Sequence, residues 1–175
     1  TLNIDMQKAA RDAVEKGLQE LEAREGYEKG VVQGSLLCME AKTGAIKTMI
    51  GGRDFKKSEF NRATQSTRQA GSAFKPFIYT AAFDKGMTPS TQILDAPIIY
   101  EDKSSPDGFW KPKNFDGKFN GPTTLRNALV QSRNIITIKV LQEIGIDYAT
   151  DYATNMGITS PLTKNLTLAL GTSGV

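Results

Sequence analysis

Ser72 and Lys75 stand three residues apart at the entrance to an apolar stretch containing Phe77, Ile78, Ala81 and Ala82. On a helix, positions i and i+3 share a face, so the Lys75 amine can reach the Ser72 hydroxyl. The unpaired N–H groups and positive dipole end at a helix start disfavour a second positive charge. Together with burial, this lowers the amine's pKa, and a neutral amine can take the proton that a nucleophilic serine must lose. Pro76 disfavours helical geometry at Lys75, the residue before it, and a broken local rule is commoner at functional sites. A capping serine followed by a solvated lysine has the same spacing, so the pair alone is unspecific.

Ser132 and Asn134 form a second pair, two residues apart in a break between helical segments. If the break is extended, both side chains point the same way. The hydroxyl can relay a proton, and the amide can hold a substrate carbonyl or orient a lysine. A capping pair in a helix–helix turn would look the same. The chain has no histidine and one cysteine, Cys38. That excludes a Ser-His-Asp triad, a Cys-His pair, a histidine-ligated metal and an internal disulfide. Cys38, in the apolar run Ser35-Leu36-Leu37-Cys38-Met39, reads as a buried small hydrophobe. The base for a nucleophile must be Lys, Asp, Glu or Tyr.

The elements that would position these residues follow from periodicity. Met6, Ala10, Ala13, Val14, Leu18 and Leu21 recur at helical steps, predicting a helix from Met6 to about Glu25, capped by Asp5 and ended by Gly26. Ser35–Ala41 and Ala45–Gly51, separated by Lys42-Thr43-Gly44, predict a hairpin. Residues 53–71 read as a polar connector, and the helix entered at Ser72 runs to about Lys85, with Gly86 as its stop. Residues 88–122, rich in proline and aromatics, read as a long irregular segment. Thr123 or Thr124 caps a short helix to about Gln131; further helices cover Ile135 to about Ile144 and Asp147–Met156. The prediction is therefore helix plus hairpin over 1–52 and a mostly helical part over 53–175. No convincing strand follows residue 52, although a two-stranded sheet is marginal by itself.

The 175 residues are enough for one domain with a core, and the net charge of +3 fits a solvated basic surface. No nucleic-acid partner is expected, and no apolar run reaches the roughly 18 residues of a membrane span.

The flanks of the two pairs are more specific. Arg53-Asp54-Phe55, Phe60-Asn61-Arg62-Ala63-Thr64-Gln65 and Arg68-Gln69 precede Gly71-Ser72-Ala73-Phe74-Lys75-Pro76-Phe77. Trp110-Lys111-Pro112-Lys113-Asn114-Phe115-Asp116 and Gly121-Pro122-Thr123-Thr124-Leu125-Arg126 precede Ser132-Arg133-Asn134. With these, nearly the whole chain resembles the transpeptidase domain of class A penicillin-binding proteins.

The resemblance implies an α/β fold of the penicillin-binding and serine β-lactamase type: an antiparallel sheet flanked by helices, with a helical subdomain, here only its N-terminal portion. It implies peptidoglycan stem peptides ending in D-Ala-D-Ala as substrate, β-lactam antibiotics as acylating inhibitors, and no cofactor or metal. Ser72 would be the nucleophile, Lys75 its base, Ser132 a proton relay and Asn134 a positioning amide. Separately from the resemblance, Trp110 and Asn114 either help wall the substrate groove or merely pack the loop. The family's third motif, Lys-Thr-Gly or Lys-Ser-Gly on a later strand, is not Lys42-Thr43-Gly44, which lies upstream in a turn. It is expected beyond Val175, on the missing C-terminal part of the domain, so the chain alone should be nearly inactive. The whole protein would be anchored outside the bacterial cytoplasmic membrane through segments absent here. A serine β-lactamase, a D,D-carboxypeptidase, a β-lactam sensor or a non-catalytic scaffold remain alternatives.

Overall fold

The computed structural model describes residues 2–103 and 105–175. The chain divides into two compact units, the first ending at Ser66 and the second running from Thr67 to Val175.

In the first unit, helix α1 covers Ile4–Glu25. Its N-cap is Asn3, whose side chain accepts from the Met6 N–H, and not Asp5 as expected. Gly26 ends it in the left-handed conformation, which costs glycine nothing. The buried stripe contains Ala10, Leu18 and Glu22, whereas the expected members Met6 and Ala13 are exposed. Strands β1 (Leu36–Met39) and β2 (Ile46–Ile50) pair antiparallel, with an irregularity between Cys38 and Met39. Cys38 is half-buried, short of the full burial expected.

This sheet stays two-stranded among the described residues, and α1 blunts one of its edges. The Asn3 N–H donates to the Lys47 carbonyl at 2.8 Å, while Gln7 donates to the Met49 carbonyl and accepts from its N–H. Arg53 is ion-paired to Glu22 and Glu15, and the Arg62 N–H donates to the Gly51 carbonyl. These contacts carry residues 53–66 with the hairpin, so the boundary falls at Ser66 and not at residue 52.

The second unit is built around helix α4 (Asn134–Ile144), in which Ile135, Ile136, Thr137, Ile138, Val140, Leu141 and Ile144 are buried. A helix apolar around most of its circumference must be wrapped by others. Helices α2 (Lys75–Asp84), α3 (Leu125–Val130) and α5 (Ile146–Asn155) do so, with a 3-10 segment at Leu166–Leu170. Thr124 caps α3 through its side chain, as one of the two expected candidates.

Residues 88–122 are mostly irregular, as expected, but short strands punctuate them. They contain β3 (Gln92–Asp95), β4 (Tyr100–Glu101), β5 (Phe109–Trp110) and the start of β6 (Gly121–Thr124). β3 pairs with β6 and β4 with β5, both antiparallel. The Gln92–Thr124 pairing joins residues too far apart in sequence to leave a hairpin signature, so local pattern missed these strands.

Candidate active site

Ser72 lies in a 3-10 segment, Gly71–Phe74, that leads directly into α2. Lys75 takes helical dihedrals, φ −54° and ψ −39°, despite Pro76. The surrounding packing therefore overrides the local preference. Behind the 3-10 segment, the Gly71 N–H donates to the Gly171 carbonyl at 3.0 Å. Gly171 has φ +67°, and a Cβ there would lie 2.0 Å from the Gly71 oxygen. Only glycine permits this approach.

Ser72 is exposed, whereas Lys75 is 1% exposed. The amine donates to the Ser132 carbonyl at 2.7 Å, to Ser132 Oγ at 3.0 Å and to Asn134 Oδ1 at 2.7 Å. Ser132 Oγ in turn donates to Ser72 Oγ at 3.0 Å. No direct Lys75–Ser72 hydrogen bond forms among the described residues. The path between them runs through Ser132, a correction to direct contact across one helix face. Burial pushes the Lys75 pKa down to about 8. A neutral amine would reverse the relay: Ser132 would donate to Lys75 and accept from Ser72, since hydroxyl rotors follow their partners.

Ser132 reaches this position through the end of α3. Its N–H donates to the Leu129 carbonyl at 3.0 Å, and the Arg133 N–H donates to the Ala128 carbonyl at 2.8 Å. This pair of bonds is a Schellman termination, whose left-handed residue is usually glycine. Ser132 occupies it with φ +53°, the single non-glycine residue with positive φ among those described. The strain is about 1–2 kcal/mol. The stretch is thus not extended, as expected from the spacing, but sharply turned, with a serine where the backbone prefers glycine.

Asn134 opens α4, whose N-cap Arg133 makes no side-chain capping bond. Asn114 serves instead from another segment: its Oδ1 accepts from the Asn134 N–H at 2.9 Å and the Ile135 N–H at 3.2 Å. The Asn134 Nδ2 donates to the Lys113 carbonyl at 3.0 Å, which turns Oδ1 toward Lys75.

A cavity of about 330 Å³ is lined by Ser72, Asn114, Ser132, Asn134, Phe115 and Gln131 among others. Trp110 is not in this lining. It stacks on Tyr100 with ring centroids 5.5 Å apart and packs against the core. Lys42-Thr43-Gly44 forms the β1–β2 turn in the first unit. No helix of the described residues is long and apolar enough to cross a membrane.

The sequence profile of the penicillin binding protein transpeptidase domain matches residues 34–171. Penicillin-binding protein 1A of Neisseria lactamica is 44% identical over 97% of this chain and 22% of its own length. That of Pseudomonas aeruginosa is 46% identical over 82% of this chain and 17% of its own. The chain thus spans about a fifth of the length of these curated relatives. The crystal structure of penicillin-binding protein 1A from Haemophilus influenzae superposes with TM-score 0.75 and 38% identity, covering 82% of this chain and 21% of that one. The Mycobacterium tuberculosis protein PonA1 in complex with penicillin V shares the fold at TM-score 0.79 and 23% identity, over 99% of this chain and 46% of that one.

Proposed function

The chain belongs to the penicillin-binding protein transpeptidase family, and on that footing we propose that it carries the nucleophile and proton relay of a peptidoglycan D,D-transpeptidase. The observation that carries this reading is the unbroken path Ser72 Oγ, Ser132 Oγ, Lys75 Nζ, with a buried amine at one end and an exposed hydroxyl at the other.

With a pKa of about 8, roughly a tenth of Lys75 is neutral at pH 7. Neutral Lys75 draws a proton from Ser132, which takes one from Ser72. Ser72 Oγ bonds to the carbonyl carbon of the penultimate D-Ala, the peptide C–N bond breaks, and Ser132 passes its proton to the departing D-Ala amine as Lys75 returns one to Ser132. The amine of a second stem peptide then attacks the ester, completing the cross-link and restoring the Ser72 hydroxyl. Asn134 holds Lys75 and faces the substrate amide. A β-lactam acylates Ser72 by the same first step.

The oxyanion forms against the Ser72 N–H, whose neighbours at Gly71 and Ala73 are already committed to the Gly171 and Ala70 carbonyls. The second donor, by resemblance, belongs to the strand of the third motif, and no strand follows α4 among the described residues before Val175. One missing donor typically lowers the rate about 100- to 1,000-fold, so the isolated 175-residue chain should acylate poorly. In the whole protein, the domain would face outward from the cytoplasmic membrane.

Labelled penicillin added to the protein carrying the whole domain tests this reading. A persistent adduct on Ser72, absent from Ser72→Ala, is expected. Rapid turnover of the adduct would mark a β-lactamase, and unchanged labelling of Ser72→Ala would refute the assignment. Robust labelling of the isolated 175-residue chain would refute its proposed inactivity.

A further inference from the structure

The strained turn at Ser132 must be held by something, and the residues that hold it lie outside the two motif pairs. Arg133 is only 5% exposed. Its Nε donates to Asp95 Oδ2 at 2.9 Å, Nη2 lies 2.8 Å from the same oxygen as an ion pair and donates to the Lys118 carbonyl, and Nη1 donates to Asp116 Oδ2 at 2.8 Å. Asp95, at the end of β3, is 1% exposed. Its other oxygen, Oδ1, accepts from Asn114 Nδ2 at 2.9 Å, and Oδ2 also accepts from the Asn120 N–H at 3.1 Å.

One buried carboxylate therefore grips the chain just after the turn by two routes. Through Arg133 it anchors the residue after Ser132. Through Asn114 it directs an amide oxygen onto the first two N–H groups of α4, one of which belongs to Asn134. The Asn114 nitrogen is committed to Asp95 and to the Lys118 carbonyl, so the amide cannot flip without losing all its partners. Asp95 makes no hydrogen bond or ion pair with Ser72 or Lys75 and acts only through other residues. An isolated buried arginine would be costly, so the pairing also fixes where the Arg133 side chain goes.

We propose that Asp95 is a positioning residue for acyl transfer, holding Ser132 and Asn134 on Lys75 through Arg133 and Asn114. This rests on the acyl-transfer reading above. If the turn loosens, water reaches Lys75, its pKa climbs toward the ordinary lysine value, and acylation needs a higher pH.

No charged group other than the amine explains such a shift. Arg133, in the turn, is engaged by Asp95 and Asp116. Tyr79, on α2 itself, stays un-ionised, pushed up to about 12 by burial. On α3, Arg126 is exposed; on α4, Lys139 donates to the Leu94 carbonyl and Glu143 is exposed. On α5, Asp147 pairs with Lys164, Asp151 is exposed, Tyr148 reaches Asp84 and lies under Lys85, and Tyr152 packs beside Tyr148. The 3-10 segments Gly71–Phe74 and Leu166–Leu170 carry no titratable side chain.

The test is stopped-flow acylation by a fluorescent penicillin across pH, in the protein carrying the whole domain, with Asp95→Asn. We expect acylation slowed about 10- to 100-fold, as for a small misplacement of reacting groups, and a basic limb displaced upward by at least about 0.5 pH unit. Asp147→Asn, which breaks an exposed pair away from the site, is the unchanged control. A purely structural role would lower the fraction that labels while leaving the limb in place, and that result overturns the proposal, as does wild-type behaviour. If Asp95→Asn does not fold, Asp116→Asn, which removes only the half-exposed anchor of Arg133, is read the same way: a displaced limb supports and an unmoved limb refutes. Absence of labelling at Ser72 in the unaltered protein would instead defeat the transpeptidase reading itself.

Discussion

Replacing Ser132 with glycine and with alanine should separate backbone strain from chemistry. Both changes delete the oxygen between Ser72 and Lys75. Only glycine relieves the positive φ of +53°. The left-handed conformation costs a β-carbon-bearing residue about 1–2 kcal/mol. Glycine gives back about 0.5–1 kcal/mol through its larger chain entropy when unfolded. Ser132→Gly should therefore be more stable than Ser132→Ala by about 0.75 kcal/mol at the middle of these ranges, a Tm difference of about 1.5–3 °C in a domain of a few hundred residues. Both should acylate about 100- to 10,000-fold more slowly, the usual range for a lost acid–base group. Differential scanning calorimetry and penicillin acylation kinetics on the two variants give the two readouts. Equal stability of the pair would refute the strain argument. Near-normal acylation by either would refute the relay through Ser132, and a Lys75–Ser72 contact formed on substrate binding would have to replace it.

Other consequences follow from single groups. Acylation should rise with pH through about 8 as Lys75 loses its proton, and Lys75→Met should abolish that limb in the same kinetic assay. The Lys75 pKa is lowered from 10.5 to about 8 on folding, so the folded state binds fewer protons between those values. Lys75's contribution to stability should improve as pH rises through that window, and denaturant titrations of wild type against Lys75→Met should show the difference. Gly171→Ala meets the Gly71 carbonyl as well as a positive φ, and should lose about 3 kcal/mol or more, with loss of labelling; Gly145→Ala, strained at φ 90° and ψ 138° but with open space around its Cβ, should lose about 1–3 kcal/mol in denaturant titrations. In the first unit, the Arg53 guanidinium holds the Glu22 carboxyl down at about 2. Glu22's contribution is complete above pH 4.5 and fades as pH falls toward 2, so Glu22→Gln should be less stable at neutral pH and less acid-sensitive.

Local pattern determined a good deal of this protein. Apolar steps and caps place α1 and its Gly26 stop, the Gly44 turn, the Thr124 cap and the long helix ending at Gly145. These depend on residues within a few positions of one another, and that is the range over which sequence periodicity and capping chemistry operate. Ser72, Lys75, Ser132 and Asn134 were legible as two pairs for the same reason.

Only the tertiary structure decided how the pairs meet. The left-handed Ser132 runs against its own propensity, and the residues that follow it, Arg133 and Asn134, bond to Asp95 and Asn114 across gaps of 38 and 20 residues. The short strands between residues 92 and 124 exist because distant partners align, not because either strand is strongly patterned. The lowered pKa of Lys75 is a property of burial, which no residue possesses by itself. A chain announces what its neighbours along the backbone can do; desolvation, strain and a relay between hydroxyls arise only when remote segments close around one point.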